Sequence, residues 1–308
     1  MKKILVVGII LLFIGSSIPA LAQTKESTRP LSHTLYVGGS GPGNYSGIQE
    51  AINNATEGDT VFVYHGFYTD YYEEQLASYY ILKRINLIGE NQTNTILDGG
   101  SRIDVIRLQA DGVSISGFTI QNSGNENAFG AGINKWSSKN VSIHDNIFKN
   151  NCIGINGGAK EYNNIFTNNI YGLYIEDIGS SVFDNLIENN SIGIEIIGWS
   201  HNIYGNQIKG NDIGIVSEDG RGRIHGNNFI NNNKQAYFSN LLNTPSGRSI
   251  WFNNYWNDWI PFIPRPISGT WAYYSFILQN LIGPYPGIQI DWHPALLPHH
   301  ISSFGGFQ

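Results

Sequence analysis

The chain has 308 residues, of which only 14% are charged, and its formal net charge is −6 at pH 7. Because the chain has few charged residues and is acidic overall, nucleic acid is a poor partner. The single cysteine, Cys152, excludes an internal disulfide, and we expect it to be either a small buried side chain or a free surface thiol.

The first 22 residues have the pattern of a secretory signal peptide. Two lysines precede an apolar run from Ile4 to Ile14, and small residues end the segment at Ala22. The run is shorter than the ~18–20 residues of a membrane-spanning helix. We therefore predict a secreted protein, extracellular, periplasmic or on the cell surface, with no membrane insertion after cleavage of residues 1–22.

A short helix is predicted after a polar segment, residues 23–33, that we expect to be disordered. Apolar side chains recur at helical spacing within residues 46–55, at Ile48, Ala51, Ile52 and Ala55. Ser46 is placed to be the N-cap, with Gln49 as its capping-box partner. This helix is expected to cover the open N-terminal end of a stacked fold, because stacked coils need a cap.

Residues 60–123 alternate apolar and polar positions less regularly than residues 145–236 do. Residues 71–80 depart from the spacing, and an insertion of this kind either carries binding or caps the fold. The side chains predicted to point inward are Val61, Val63, Ile85, Leu87, Val105, Leu108, Val113, Ile115 and Ile120.

One eleven-residue sequence motif is repeated five times between residues 145 and 236. Its copies are DNIFKNNCIGI, NNIFTNNIYGL, DNLIENNSIGI, GNQIKGNDIGI and GNNFINNNKQA. The anchor asparagines, spaced 18, 21, 21 and 21 residues apart, are Asn146, Asn164, Asn185, Asn206 and Asn227. A second set with the same spacing is Asn151, Asn169, Asn190, Asn211 and Asn232. Periods of this size indicate a solenoid.

Short apolar bursts of period two between the asparagines indicate strands, and asparagine suits the sharp turns between them. A leucine-rich repeat has a similar period but needs a leucine pattern and a helical return, whereas these repeats favour Ile, Phe and Asn. We predict an all-β fold, a right-handed parallel β-helix of roughly nine coils over residues 34–259. The Asn side chains are expected to bond up and down the stack.

The C-terminal segment, residues 260–308, is rich in proline and aromatic residues. Since proline cannot join the interior of a sheet, we predict a cap that wraps over the last coil and buries Trp251 and Trp256. Potential metal ligands in this region have no fixed ligand spacing; they are Asp291, His293, His299 and His300.

Several phrases resemble the pectin-lyase-like superfamily, and in particular NosD-type periplasmic proteins and archaeal surface β-helix proteins. Besides the five repeats, they include INLIGENQTNTILDGG (85–100), ADGVSISGFTIQNSG (110–124) and NNYWNDW (253–259). The resemblance implies the β-helix fold, and its NosD part implies copper. Copper favours clustered Met, Cys or His, whereas the one methionine lies in the signal peptide, so we predict no metal site of this kind.

Acidic residues in one loop region form the candidate catalytic or Ca²⁺ site. By the 21-residue period, Asp177, Gly198 and Asp219 stack on one another, as do Glu176, Ile197 and Glu218. The two acidic pairs would lie roughly 10 Å apart, two coils along the stack, with Trp199 in the loop between them. The alternative is solvated loop charge with a packed tryptophan.

A column of rings precedes each first Asn corner by two residues, and we expect it to face outward. Its members are His144, Tyr162, Phe183, Tyr204 and His225. Stacked rings with polar neighbours suit sugar binding, although such a column also stiffens a stack. We call this set the aromatic ladder.

The sequence therefore favours a secreted, non-catalytic β-helix that binds polysaccharide or cell-surface glycan, or serves as a rigid surface module. Two alternatives stay open. One is a carbohydrate-active enzyme, a polysaccharide lyase, hydrolase or epimerase, that uses Glu176, Asp177, Glu218 and Asp219. The other is a NosD-like periplasmic copper-binding role. No cofactor other than Ca²⁺ is indicated, and the oligomeric state is undetermined.

Overall fold

The computed structural model describes residues 32–69, 76–102, 104–124, 130–241, 248–275 and 280–301. The predicted signal peptide, residues 1–22, lies outside the described residues. So does most of the polar segment predicted to be disordered. Within the described part, no helix is long and apolar enough to cross a membrane.

The described residues form one helix and a long succession of short strands. The first elements are β1 (Thr34–Val37), α1 (Ile48–Asn54), β2 (Thr60–Val63), β3 (Gly66–Tyr68), β4 (Ala77–Ile81), β5 (Asn86–Gly89), β6 (Thr95–Arg102), β7 (Asp104–Leu108), β8 (Ser114–Ser116) and β9 (Thr119–Ser123). The middle elements are β10 (Ala131–Asn134), β11 (Ser142–His144), β12 (Ile147–Lys149), β13 (Ile153–Asn156), β14 (Lys160–Tyr162), β15 (Ile165–Thr167), β16 (Tyr171–Ile175), β17 (Ser181–Phe183) and β18 (Leu186–Glu188). The last elements are β19 (Ile192–Tyr204), β20 (Gln207–Lys209), β21 (Ile213–His225), β22 (Asn228–Ile230), β23 (Lys234–Leu241), β24 (Ile250–Phe252), β25 (Tyr255–Trp256), β26 (Arg265–Ser275) and β27 (Asn280–Asp291).

Each coil contributes one strand to each of three parallel faces. The first face contains β2, β5, β8, β11, β14 and β17, and β1 and β24 extend it at its two ends. The second face is a nine-stranded sheet from β3 to β25. The third face contains β4, β7, β10, β13, β16 and β23. The nine strands of the second face confirm the predicted parallel β-helix of roughly nine coils.

Two strands do not end at the corner between the third and first faces. β19 and β21 run from the third face into the first and stay paired with each other around the bend, with register shifts on both sides of Trp199. Trp199 therefore lies within a strand, whereas the sequence suggests a loop at this position. Its partner across the ladder is Arg221.

The core is built from columns of apolar side chains that repeat from coil to coil. All nine positions predicted to point inward between residues 60 and 123 are buried. On the second face, the rings of Phe148 and Phe166 stack with centroids 4.9 Å apart. On the first face, one inward column runs Ile143, Glu161, Val182, Ile203, Ile224 and Trp251. A glutamate thus occupies a core position between apolar neighbours.

The two predicted asparagine ladders are present and their side chains are buried. The amide oxygen of Asn206 accepts hydrogen bonds from the backbone and side-chain nitrogens of Asn185. Its own amide nitrogen donates to the carbonyls of Val182 and Tyr204 and to the amide oxygen of Asn227. Each asparagine therefore satisfies backbone groups that the corner leaves unpaired, which strand pairing cannot do at a bend.

The left-handed turn conformation falls on the residue before each anchor asparagine. Asp145, Asn163 and Asp184 have φ between 52° and 55°, and Gly205 takes the same place with φ 64°. The sequence suggests the left-handed role for the asparagines themselves. The anchors instead use their side chains as bonding groups, and Asn, Asp or Gly before them tolerates the turn.

The helix covers the first coil and buries Ile48, Ala51 and Ile52, as the periodicity predicts. The predicted cap is wrong, because Gly47 is the N-cap and no side chain caps the helix. Gln49 has another role: its amide accepts a hydrogen bond from the backbone nitrogen of Tyr80 and donates to its carbonyl. Tyr80 belongs to β4, so the described end of the irregular 71–80 segment is a strand of the third face that holds the helix.

The C-terminal segment caps the last coil, and Trp251 and Trp256 are buried as predicted. Strands β26 and β27 form an antiparallel hairpin, of which β26 pairs with β23. Asp291 ends the first asparagine ladder, since one of its oxygens accepts hydrogen bonds from the backbone and side chain of Asn254 and from the indole of Trp256. This buried carboxylate is therefore a structural end piece of the stack.

Candidate functional site

A cleft of about 920 Å³ lies over the first face at the middle coils. Three successive connections from the third face to the first form its walls, within residues 135–141, 158–160 and 176–181. The rings of Phe183 and Tyr204 line it as well, so the cleft opens onto the aromatic ladder. Ligand-binding sites are commonly clefts that are lined by aromatic side chains and a few polar groups.

The aromatic ladder forms a continuous stack of half-buried rings on the outward side of the first face. Successive centroids from His144 to His225 are 4.8, 5.1, 5.0 and 5.4 Å apart, with interplanar angles of 13° or less. Phe252 extends the column, 4.6 Å from His225. The sequence analysis missed Phe252 because it lies beyond the last clear repeat, although it also stands two residues before an anchor asparagine, Asn254.

Polar and charged side chains accompany the rings. The ammonium group of Lys160 lies 5.0 Å from the ring centroid of Tyr162 and 5.9 Å from that of Phe183. His144 pairs through Nδ1 with Asp145 at 2.7 Å, and His225 Nε2 lies 3.0 Å from the amide oxygen of Asn202. The outward side of the first face therefore offers apolar ring faces, a cation and hydrogen-bonding groups side by side, and Lys160, Phe183 and Tyr204 of this set line the cleft.

A buried ion pair holds two walls of the cleft together. Lys135 Nζ lies 2.5 Å from Asp177 Oδ2, and it also donates a hydrogen bond to the carbonyl of Ser138 at 2.5 Å. The lysine is almost completely buried, whereas the Asp177 side chain is about one third exposed, at 31%. Asp177 thus faces the cleft. The lysine lies in the first of the three wall connections and Asp177 in the third.

Glu161 is fully buried next to this pair. One oxygen accepts a hydrogen bond from the backbone nitrogen of Ala159 at 2.5 Å, and the other has no hydrogen-bond partner. Burial raises its pKa to about 8, against a weaker opposing effect of Lys135. Glu161 is therefore mostly protonated at neutral pH, which leaves the pair of Lys135 and Asp177 as the charged centre of the cluster.

His201 is the fourth titratable group of this buried polar cluster, after Lys135, Asp177 and Glu161. Burial lowers its pKa to about 4, and the nearby Asp177 carboxylate opposes that shift. Neither of its ring nitrogens has a hydrogen-bond partner, and neither does the hydroxyl of Ser180. Glycine makes this packing possible, because a Cβ at Gly158 would lie 1.6 Å from Ser180 Oγ. We define the buried polar cluster as Lys135, Glu161, Asp177, Ser180 and His201.

Unpaired buried polar atoms concentrate at this place. Of the described residues, those with such an atom next to the cleft are Asn156, Glu161, Ser180 and His201. Buried polar groups are normally satisfied, so a local group of exceptions marks a place where water or a ligand group completes the bonding. Chemically, the cluster joins a protonated carboxyl group, a neutral imidazole and an ion pair that reaches the cleft.

The predicted acidic residues are divided between two surfaces. Glu176 is exposed and lines the cleft with Asp177. Glu218 pairs with Ile197 on the third face and does not line the cleft. It interacts there with Glu195, whose pKa is raised to about 7 by burial and, to a smaller extent, by the charge of Glu218. The side chain of Asp219 lies outside those that the structure describes.

Sequence reasoning found Asp177 but missed the other four members of the buried polar cluster. One signal was available, since Glu161 stands at an inward position of a column that is otherwise Ile, Val and Trp. A charged residue at such a register indicates a special environment. Lys135 and Ser180 lie in connections of irregular length, where the repeat gives no register.

The described residues do not fit a copper centre of the usual kind. No three His, Cys, Asp or Glu side chains among them are grouped to hold a metal ion. Cys152 is buried, and the His299 ring bonds the carbonyl of Asn253. Soft metal sites need clustered thiol, thioether or imidazole ligands, which the described part of this chain does not bring together.

Comparison with known proteins finds a matching family and several solved structures with a similar fold. Residues 52–259 match the family described as NosD, periplasmic copper-binding protein. An alginate lyase from Paenibacillus sp. str. FPU-7 is 15% identical, with a TM-score of 0.43, over 75% of this chain and 90% of that chain. The A-module of the Azotobacter vinelandii mannuronan C-5 epimerase AlgE6 is 13% identical, with a TM-score of 0.37, over 74% and 82%. No curated protein matches.

Proposed function

The chain belongs to the NosD family, and we propose that this member is a periplasmic or secreted protein that binds a carbohydrate chain in the cleft over its middle coils. The observation that carries the proposal is the floor of the cleft, where Phe183 and Tyr204 present stacked rings beside Lys160. Apolar ring faces with polar neighbours suit sugars, which have an apolar face and a polar rim.

Copper binding is not part of the proposal. The family description names copper, but the described residues hold no group of three metal-ligating side chains. The side chains around the cleft are aromatic, lysine, serine and carboxylate, a set that favours an oxygen-rich organic ligand over a soft metal ion. The copper-binding alternative therefore has no support from the ligand chemistry of the described residues.

The proposal is tested by a glycan array, followed by titration of any ligand found. Tyr204→Ala is expected to weaken binding by about 1–3 kcal/mol, by analogy with the loss of an aromatic ring that stacks on a nucleic-acid base. Tyr255→Ala is the matched control, because Tyr255 is also half-buried but lies on the second face. Equal affinity of wild type and Tyr204→Ala for the ligand would overturn the proposal.

Replacing Trp199 is expected to have a second, smaller effect on binding. Its side chain is 47% exposed in β19, next to the connection that walls the cleft, and exposed large aromatics often mark contacts. We expect Trp199→Ala to weaken glycan binding, by less than Tyr204→Ala does, and to leave the melting temperature nearly unchanged. Thermal unfolding and titration of the same sample measure both effects. Unchanged binding with a large loss of stability would show that Trp199 is a packing residue.

The runner-up function is a carbohydrate-active enzyme, and one observation favours it. Glu161 and Asp177 are interacting carboxyl groups of which one is held protonated by burial, and such a division suits acid and base roles. Glu161 is fully buried, however, so only Asp177 reaches the cleft. Product analysis separates the two functions. In an enzyme, Asp177→Asn should lower turnover by ~10²-fold with binding kept, whereas a binder forms no product.

A further inference from the structure

The aromatic ladder belongs to a longer column on the outward side of the first face. Strand pairing places ten residues in register along it, one from each successive strand. They are Tyr36, Phe62, Ile88, Ser116, His144, Tyr162, Phe183, Tyr204, His225 and Phe252. Only Ile88 and Ser116 lack a ring, and both are half-buried, so the column reaches the surface along its whole described length.

A second group of rings stands at the N-terminal end of this column. Tyr36 and Tyr64 stack with centroids 6.0 Å apart, and Phe62 meets them edge-on at 5.9 and 5.2 Å. Tyr36 is 43% exposed although it lies in a paired strand. We call Tyr36, Phe62 and Tyr64 the N-terminal aromatic patch. Three coil steps, roughly 14 Å, separate Phe62 from His144.

The turn after β1 is shaped to fit this patch. Gly39 has φ +66°, and a Cβ there would lie 2.8 Å from the ring of Tyr64. Gly38, with φ +74°, leaves room for the hydroxyl of Tyr68, which donates a hydrogen bond to the carbonyl of Tyr64. A side chain at either glycine would displace a ring or strain the turn. The patch is therefore a pre-organised surface.

We propose that the ligand is a linear glycan polymer that lies along the first face, and that the N-terminal aromatic patch is its second binding site. This inference rests on the proposed function of the cleft. A partner of this kind fits because both ring groups lie in one register column, so a straight chain that leaves the cleft along the coil axis reaches the patch. A short oligosaccharide occupies only one of the two sites.

Because one protein chain carries two binding sites, its affinity for the glycan should depend on the length of the glycan. When the first site holds the polymer, the second binding event becomes intramolecular and gains an effective concentration, so affinity rises without any new contact at the first site. We expect a ten-residue chain to bind about tenfold tighter than a three-residue chain of the same sugar. The patch should matter only for the longer ligand.

The experiment uses the full mature chain and oligosaccharides of three and of ten residues from cellulose, xylan and polyuronate. The double variant Tyr36→Ala/Phe62→Ala is compared with wild type, with Tyr204→Ala and with Phe67→Ala. Phe67 is 62% exposed on β3, which belongs to the second face, so its removal controls for the loss of an exposed ring. Thermal unfolding of each variant verifies that it is folded.

The inference is supported if the double variant loses the tenfold preference for the ten-residue chain and keeps the affinity for the three-residue chain. It is overturned if the double variant binds the long chain as wild type does, or if Phe67→Ala has the same effect. A weakening of both lengths by Tyr204→Ala leaves the proposed function standing in either case. If no probe binds, or if Tyr204→Ala changes neither length, the proposed function and this inference both fail.

Discussion

Replacing Asn206 by leucine is expected to lower the free energy of unfolding by several kcal/mol. The leucine would leave the backbone nitrogen of Asn185 and the carbonyls of Val182 and Tyr204 without the bonds they have now. Each buried group that loses its partner costs about 1–3 kcal/mol. The position is fully buried inside the stack, so water cannot replace the amide.

Asn233→Leu is the control for this prediction. Asn233 belongs to the last copy of the repeat but is exposed, with one side-chain bond to Asp212. Urea unfolding of the two variants measures the difference. An Asn206→Leu variant no less stable than Asn233→Leu would show that the corner amides contribute nothing to stability. Such a result would contradict the hydrogen-bonded ladder as the force that holds successive coils in register.

Replacing Glu161 by glutamine is expected to stabilise the protein, and more so at higher pH. The folded-state pKa of Glu161 is about 8, above its ordinary value of 4.5. A group with a raised folded pKa contributes stability that is complete below the ordinary value and is lost as pH rises through the folded value. Between pH 4.5 and 8, wild type should therefore lose stability relative to Glu161→Gln, by about 1.4 kcal/mol for each pH unit within that interval.

Other titratable groups also change the unfolding free energy of wild type with pH. The useful quantity is therefore the difference in unfolding free energy between Glu161→Gln and wild type. His201 has a folded pKa of about 4, below its ordinary 6.5, so its contribution is present above pH 6.5 and lost as pH falls. It therefore opposes Glu161 between pH 4.5 and 6.5. Subtracting the wild-type unfolding free energy from that of Glu161→Gln removes the histidine from both curves.

The measurement is chemical unfolding of Glu161→Gln and wild type at pH 5, 7 and 8.5. Glu50→Gln is the control, because Glu50 lies exposed on the helix. We expect the Glu161→Gln difference to be small at pH 5 and to grow to several kcal/mol at pH 8.5. Parallel curves for Glu161→Gln and wild type would contradict the buried, protonated state assigned to Glu161.

The regular part of the fold was predictable because it is local and repetitive. A period of 21 residues fixed the register of the Asn ladders, and the two-residue offset before each anchor identified most of the aromatic ladder. The alternation of apolar residues gave the inward positions, and the approximate repeat length gave the number of coils. Each of these features depends on strand pairing between neighbours in sequence, which the spacing determines directly.

The buried polar cluster was not predictable because it forms in connections that do not share the period. Lys135 and Asp177 lie two connections apart, and their ion pair depends on how irregular loops fold over the first face. The prediction of the helix cap was wrong for a similar reason. Gln49 fits the capping-box pattern, but β4 offers backbone partners at Tyr80 that only the folded chain brings near.

Binding of a carbohydrate chain in the cleft is tested most directly by a crystal structure of the protein with a six-residue oligosaccharide identified on the array. We predict sugar rings lying on Phe183 and Tyr204, with a hydroxyl or carboxylate of the ligand next to Lys160. Ligand bound on the second or third face, or an empty cleft at saturating oligosaccharide, would contradict carbohydrate binding by this cleft.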